Sequence, residues 1–264
     1  MAKSVVAFSL DEFDPTYTRV LIGDADFKYT DFTDLGTLEL ITGDAIFENS
    51  QVENLGSLIK IGRDADFYDS QVKDLGNLTM IGGDVSFLRS RIQDLGNLTT
   101  INGNANFSYA NLTNLGKLEV ITGNADFREN FYLKDLGNLT TIEGNANFTE
   151  SEVENLGKLT TIKGDAYFSY SEVKDLGKLT TIGRDADFRY SQIESLGNLT
   201  TIGGYANFRY SQIESLGNLT TIEGNAYFGE SQVKDLGNLT TIGRGVFFGN
   251  KTDLEAEWEK RKNK

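Results

Sequence analysis

Apolar and polar positions along the chain recur every twenty residues. In the unit Leu196 to Ser215, LGNLTTIGGYANFRYSQIES, the apolar positions are Leu196, Leu199, Ile202, Ala206, Phe208 and Ile213. The phenylalanine returns at Phe27, Phe47, Phe67, Phe87, Phe107 and Phe127. After one inserted residue it returns again at Phe148, Phe168, Phe188, Phe208, Phe228 and Phe248. A unit this short cannot enclose a core alone, so its apolar positions must be buried against neighbouring copies, as in a solenoid. Tyr205 to Arg209 alternates outward and inward, the period of a half-buried strand. Gly203 and Gly204 before it are expected to turn the chain at positive φ. Leu196, Leu199 and Ile202 lie three apart, which suits irregular or 3₁₀ segments. The expected fold is therefore all-β: a right-handed, parallel β-solenoid of about twelve 20-residue coils, with one short strand per coil.

A row of small polar residues follows the strand: Thr30, Ser50, Ser70, Ser90, Asn130, Ser151, Ser171, Ser191, Ser211 and Ser231. Their side chains are expected to bond backbone groups left open at the bend. The ends of such a stack need covers. Residues 1–19 depart from the repeat and contain the one proline, Pro15, so they are read as an N-terminal cap. Residues 20–249 are the repeat, and residues 250–264 a C-terminal capping helix. In that helix Thr252 and Glu255 have capping-box spacing, Leu254 and Trp258 share a face, and Lys260, Arg261 and Lys262 suit its C-terminal end. The inserted residue falls at Asn130-Phe131-Tyr132-Leu133 and is expected to bulge from the stack.

Composition narrows the chemistry. The chain has no cysteine and no histidine. Thiol nucleophiles, disulfides, imidazole bases and zinc fingers are therefore outside its repertoire. A net charge of −14 argues against direct nucleic-acid binding, which needs a basic stripe. Val5 to Leu10 is too short an apolar run for a signal peptide or a membrane span, so a cytoplasmic protein without membrane contact is the simplest expectation.

Carboxylates form two outward rows. Asp24, Asp44, Asp64, Asp84, Asp165 and Asp185 share one position; Asp26, Asp66, Asp126 and Asp187 share another two residues on. Paired acids could serve glycoside hydrolysis or calcium binding. The first row, however, changes to asparagine at Asn104, Asn124, Asn145 and Asn225, which a catalytic dyad could not tolerate. No enzyme, cofactor or metal site is expected. Repeated Asn-Leu-Thr sequons, as at Asn198, are by-products of the repeat. Paired threonines such as Thr200-Thr201 lack the alternate spacing of a flat threonine face.

The repeat departs most from small acids between residues 167 and 227. There the outward set includes Tyr167, Tyr170, Arg189, Tyr190, Tyr205, Arg209, Tyr210 and Tyr227. Tyrosine and arginine are enriched at binding hot spots, though aromatic ladders also stabilise a sheet by themselves.

The segment Ala186-x-Phe188-x-x-Ser191-x-Ile193-x-x-Leu196 resembles the core of leucine-rich repeats, with serine at the asparagine-ladder position. It is most similar to short bacterial and phage-type repeats, with Leu-Gly-Asn-Leu in place of their Leu-Pro-x-x-Leu. The sequence departs from them at Gly183, where a leucine is usual. Ala186-Asp187-Phe188-Arg189-Tyr190 and the five residues after it are also similar to two runs of a pentapeptide-repeat β-helix, but Asn198 and Gly203 break that pattern in the next ten. The expected function is a non-enzymatic protein-binding scaffold that uses its sheet face as a platform, because a large flat surface with aromatic anchors suits a protein better than a small molecule. The alternatives are an acidic nucleic-acid mimic that inhibits a DNA-handling protein, and a self-assembling surface or virion component.

Overall fold

The structure, a computed structural model, describes residues 5–262 and is a parallel β-solenoid of about eleven turns; among these residues the one α-helix lies at the C-terminal end, and a short 3₁₀ turn spans Leu10–Glu12. Residues 1–4 of the expected N-terminal cap and 263–264 of the C-terminal one lie outside the described residues. The chain divides into two compact units. One runs to Asp126 and includes Gly137–Leu139; the other comprises Phe127–Leu136 and continues from Thr140.

Each coil contributes two strands, not the one expected. In the second unit, strands from Thr141–Ile142 to Thr241–Ile242 pair in parallel, always with the residue twenty positions away. This is the isoleucine sheet. Strands from Ala146–Asn147 to Val246–Phe247 pair likewise and form an alanine sheet. The first unit repeats the arrangement, its isoleucine sheet running from Val6–Ala7 to Val120–Ile121 and its alanine sheet from Ala25–Asp26 to Ala125–Asp126. The second strand escaped the sequence reading because Ile202 belongs to a run of apolar positions three apart and is followed at once by Gly203, whereas alternation around Ala206–Asn207 extends over the five residues Tyr205 to Arg209. A third side of the coil is irregular and carries isolated parallel bridges such as Ser215↔Asp235.

The core is a set of ladders of like residues. In the coil from Leu196, the side chains of Leu199, Ile202, Ala206, Phe208 and Ile213 are fully buried, as the apolar pattern required. Because pairing is in register and parallel, equivalent phenylalanines lie one strand spacing apart with near-parallel rings. In the second unit they stack from Phe127 on Phe148 at 5.2 Å through to Phe228 on Phe248 at 5.5 Å. In the first unit Phe27, Phe47, Phe67, Phe87 and Phe107 do the same.

The corners differ from expectation in one respect. Gly203 and Gly204 do not have positive φ. They are small because the preceding coil is close: a Cβ on Gly203 would lie 2.2 Å from the Gly183 carbonyl oxygen, and one on Gly204 2.0 Å from Asp185 Oδ1. The left-handed residues are Gly197 (φ 55°) and, after the alanine strand, Tyr210 (φ 60°), with their equivalents along the stack. Glycine makes the first corner easily. At the second, a bulky residue is held where the left-handed conformation costs roughly 1–2 kcal/mol.

The serines of this row are buried, but only part of the row makes the expected side-chain bonds to the backbone. Ser191 and Ser231 donate to the carbonyls of Phe188 and Phe228 at 2.8 and 2.7 Å, and Thr30 does so to Phe27 at 2.8 Å. The hydroxyls of Ser50, Ser70, Ser90, Ser151, Ser171 and Ser211 have no partner, against expectation; in both groups the backbone N–H donates to the phenylalanine carbonyl, as in Ser211 at 3.1 Å and Ser191 at 3.3 Å, so the bend is closed without the hydroxyl.

At the first unit's beginning Val6–Ala7 pairs with Val20–Leu21, and the Phe13 ring meets Phe27 edge-on at 6.2 Å. In the second unit the helix Thr252–Lys262 buries Leu254 and Trp258. Arg261 reaches back to donate to the carbonyls of Gly237 and Leu239, at 2.8 and 2.9 Å. The expected Thr252–Glu255 capping box does not start this helix. Thr252 is already helical, and the Glu255 N–H donates to the Lys251 carbonyl at 3.1 Å. The inserted residues bulge as expected: Phe131 and Tyr132 are exposed, while Leu133 returns to the core and donates its N–H to Asn130 Oδ1 at 3.1 Å. Among the described residues no helix is long and apolar enough to cross a membrane.

Candidate functional site

The acidic row before the alanine strand has a structural task. Each Oδ1 accepts the backbone N–H of the equivalent residue one coil on: Asn145 from Asp165 at 2.8 Å, Asp165 from Asp185 at 3.0 Å, and Asp185 from Tyr205 at 2.9 Å. The first unit does the same from Asp24 through Asn104. One carbonyl-type oxygen suffices for this bond, so aspartate and asparagine interchange freely. Tyr205 gives up the short acceptor in favour of a phenol.

That departure lies beside a shallow hollow of about 420 Å³ on the second unit, and Tyr167, Tyr170, Arg189, Tyr190 and Tyr205 all line it. Thr149 and Ser169, from the position just after the strand, line it together with Asn147, Glu150 and Asp187. One wall is built by the left-handed corner. Tyr170, Tyr190 and Tyr210 occupy it in successive coils at φ 59°, 55° and 60°. Identical backbone at identical register points the three rings the same way. Tyr170 stacks on Tyr190 at 4.9 Å and Tyr190 on Tyr210 at 4.7 Å, each pair 3° from parallel. All three are exposed, so the ladder presents a rigid aromatic edge already ordered before any partner arrives.

The other wall is the outward row of the alanine strand. Asp187 in that row does not face solvent freely, as the sequence suggested; it is 4 % exposed. A buried carboxylate requires a partner, and Arg189 supplies it with Nε to Oδ1 at 2.9 Å and Nη2 to Oδ2 at 2.6 Å. The bond to Asp187 raises the arginine further above its ordinary pKa. Arg189 is thus neutralised, whereas Arg209 is exposed and forms no ion pair among the described residues.

Tyr167 donates its hydroxyl to Asp165 Oδ2 at 3.1 Å. Burial first, and then this bond, push its phenol up to about 12 from 10.0; burial raises Tyr205 as well. The folded state therefore favours the protonated phenol, so stability is unaffected below pH ~10 and falls as pH rises from there through about 12. Replacing Tyr167 by phenylalanine should remove the tyrosinate absorbance step near pH 12. A step that persists unchanged would show that the phenol is not held this way.

Tyr227 stands apart from the hollow. It stacks on Phe247 at 4.8 Å and meets Tyr205 edge-on at 6.5 Å, which carries the aromatic surface toward the last coil. Phe247, exposed at 52 %, was missed in the sequence, although its spacing of twenty from Tyr227 would have revealed it. Glu150 was missed because one exposed glutamate in an acidic repeat carries no signal of its own. No family model, curated protein or solved structure matches the chain.

Proposed function

We propose that the chain is a non-enzymatic, leucine-rich-repeat-like scaffold that binds a protein partner through the tyrosine and arginine face of the second unit. The observation that carries this reading is the exposed Tyr170–Tyr190–Tyr210 stack beside an open hollow. Rigid aromatic side chains offer large contact area at little conformational cost, and a shallow, open surface suits a polypeptide better than a small molecule, which prefers a concave apolar pocket. The first-row carboxylates are engaged through Oδ1 in joining coils, and Asp26, Asp66 and Asp187 of the second row accept the N–H two residues on.

The test is capture of partners from source lysate by the full chain and by the triple variant Tyr190→Ala, Arg209→Ala, Tyr210→Ala. Losing hot-spot side chains should weaken the partner about 100-fold or more. A partner retained at full strength by the variant would refute this face. If that partner were basic and released by moderate salt, the reading as an acidic nucleic-acid mimic would take its place.

A further inference from the structure

In the first unit, Arg89 and Tyr109 occupy the left-handed corner in successive coils, at φ 54° and 55°. The Arg89 guanidinium lies 6.0 Å from the centre of the Tyr109 ring, a cation–π contact. One coil's separation at this corner therefore brings a side chain over the face of the next tyrosine.

The second unit carries a different series at the same corner: Glu150, Tyr170, Tyr190, Tyr210 and Glu230, all at φ between 55° and 60°. The inner ring faces of the three tyrosines are taken by one another. Tyr170 stacks only on Tyr190, and it is the most exposed of the three at 55 %. One coil before it, where Arg89 stands relative to Tyr109, the chain places Glu150. This glutamate is exposed, forms no ion pair among the described residues, and lines the same hollow as Tyr170. At this end of the ladder an aromatic face and a free carboxylate thus adjoin, with the hydroxyls of Thr149 and Ser169 beside them. The cation already at the hollow, Arg189, is paired with Asp187 and offers little repulsion to a second one.

We propose that the Tyr170 end of the ladder is a pocket for an arginine side chain of a basic polypeptide, with its guanidinium stacked on the outer face of Tyr170 and paired to the Glu150 carboxylate. This names the partner class for the platform above and rests on that reading. The net charge of −14 draws such a partner in. The pocket supplies what general attraction lacks, a preference for arginine. A planar guanidinium can lie flat on a phenol ring and fork to a carboxylate together, whereas a compact, strongly hydrated ammonium does neither well.

The experiment is calorimetric titration of the full chain with hexa-arginine and hexalysine peptides at physiological ionic strength. It is repeated on Glu150→Gln, Tyr170→Phe, Tyr170→Ala and the charge control Glu223→Gln, an exposed glutamate on the turn after the isoleucine strand. Hexa-arginine should bind about three- to five-fold more tightly than hexalysine. Glu150→Gln and Tyr170→Ala should each abolish that preference, while Tyr170→Phe, which keeps the ring face, and Glu223→Gln should retain it. Equal affinities, no binding of either peptide, or a preference that survives Glu150→Gln would overturn the pocket. The two readings fail separately. A lysate partner lost from the Tyr190, Arg209, Tyr210 variant, with no arginine preference, removes the pocket and leaves the platform. An arginine preference alongside a partner that the triple variant retains does the reverse.

Discussion

Replacing Phe188 by alanine should destabilise the second unit by about 3–5 kcal/mol, a loss expected equally of the other phenylalanines stacked on both sides. The ring is fully buried and lies between Phe168 at 5.6 Å and Phe208 at 5.3 Å. In a globular core, neighbours can shift toward a deleted side chain. Here each neighbour is pinned by two parallel strands to the coils on either side, so collapse would break register and most of the cavity should persist. Phe248 provides the internal control. It stacks on Phe228 alone, is 5 % exposed, and belongs to the last coil, so its alanine variant should lose visibly less. Urea unfolding with amide hydrogen exchange, which reports local opening if the array is not two-state, would measure both. A loss at Phe188 no greater than at Phe248 would show that the ladder does not act as a continuous core.

The second large effect concerns association. Truncation after Asn250 removes the helix that buries Leu254 and Trp258 and the Arg261 bonds to Gly237 and Leu239. It would leave Phe248, now 5 % exposed, and the already half-exposed strands Thr241–Ile242 and Val246–Phe247 as an uncapped end. A bare terminal coil presents unpaired strand edges and the open end of the apolar core, both of which favour association with another bare end. The truncated chain should form concentration-dependent oligomers in analytical ultracentrifugation. A truncated chain that sediments as an unchanged monomer at all concentrations would show that the helix is not what protects this end.

Much of this molecule is legible in its sequence, because a repeat converts pattern into contact. A spacing of twenty between like residues implies in-register parallel pairing, and the observed partners such as Ala206↔Ala226 follow it. The inward positions follow too, since Ala206, Phe208 and Ile213 could be read off alternation and spacing alone. The candidate face was found because tyrosine and arginine interrupt rows of small acids, and five of the eight residues named there do surround one hollow. The others extend it, Tyr210 through the ladder and Tyr227 through its stack on Phe247, while Arg209 stands free beside them.

By itself, then, the sequence determined the coil length, the buried ladders and the helical end, since each depends only on which residue types recur and how far apart. The tertiary structure alone decided the second strand of each coil, the left-handed corner that aligns Tyr170, Tyr190 and Tyr210, the bonding of Asp185 to the Tyr205 backbone, and the burial of Asp187 against Arg189. These four depend on where the atoms of neighbouring coils meet. A pattern of residue types specifies that two coils touch, but the backbone angles at each corner choose which oxygen finds which N–H and which ring faces the next.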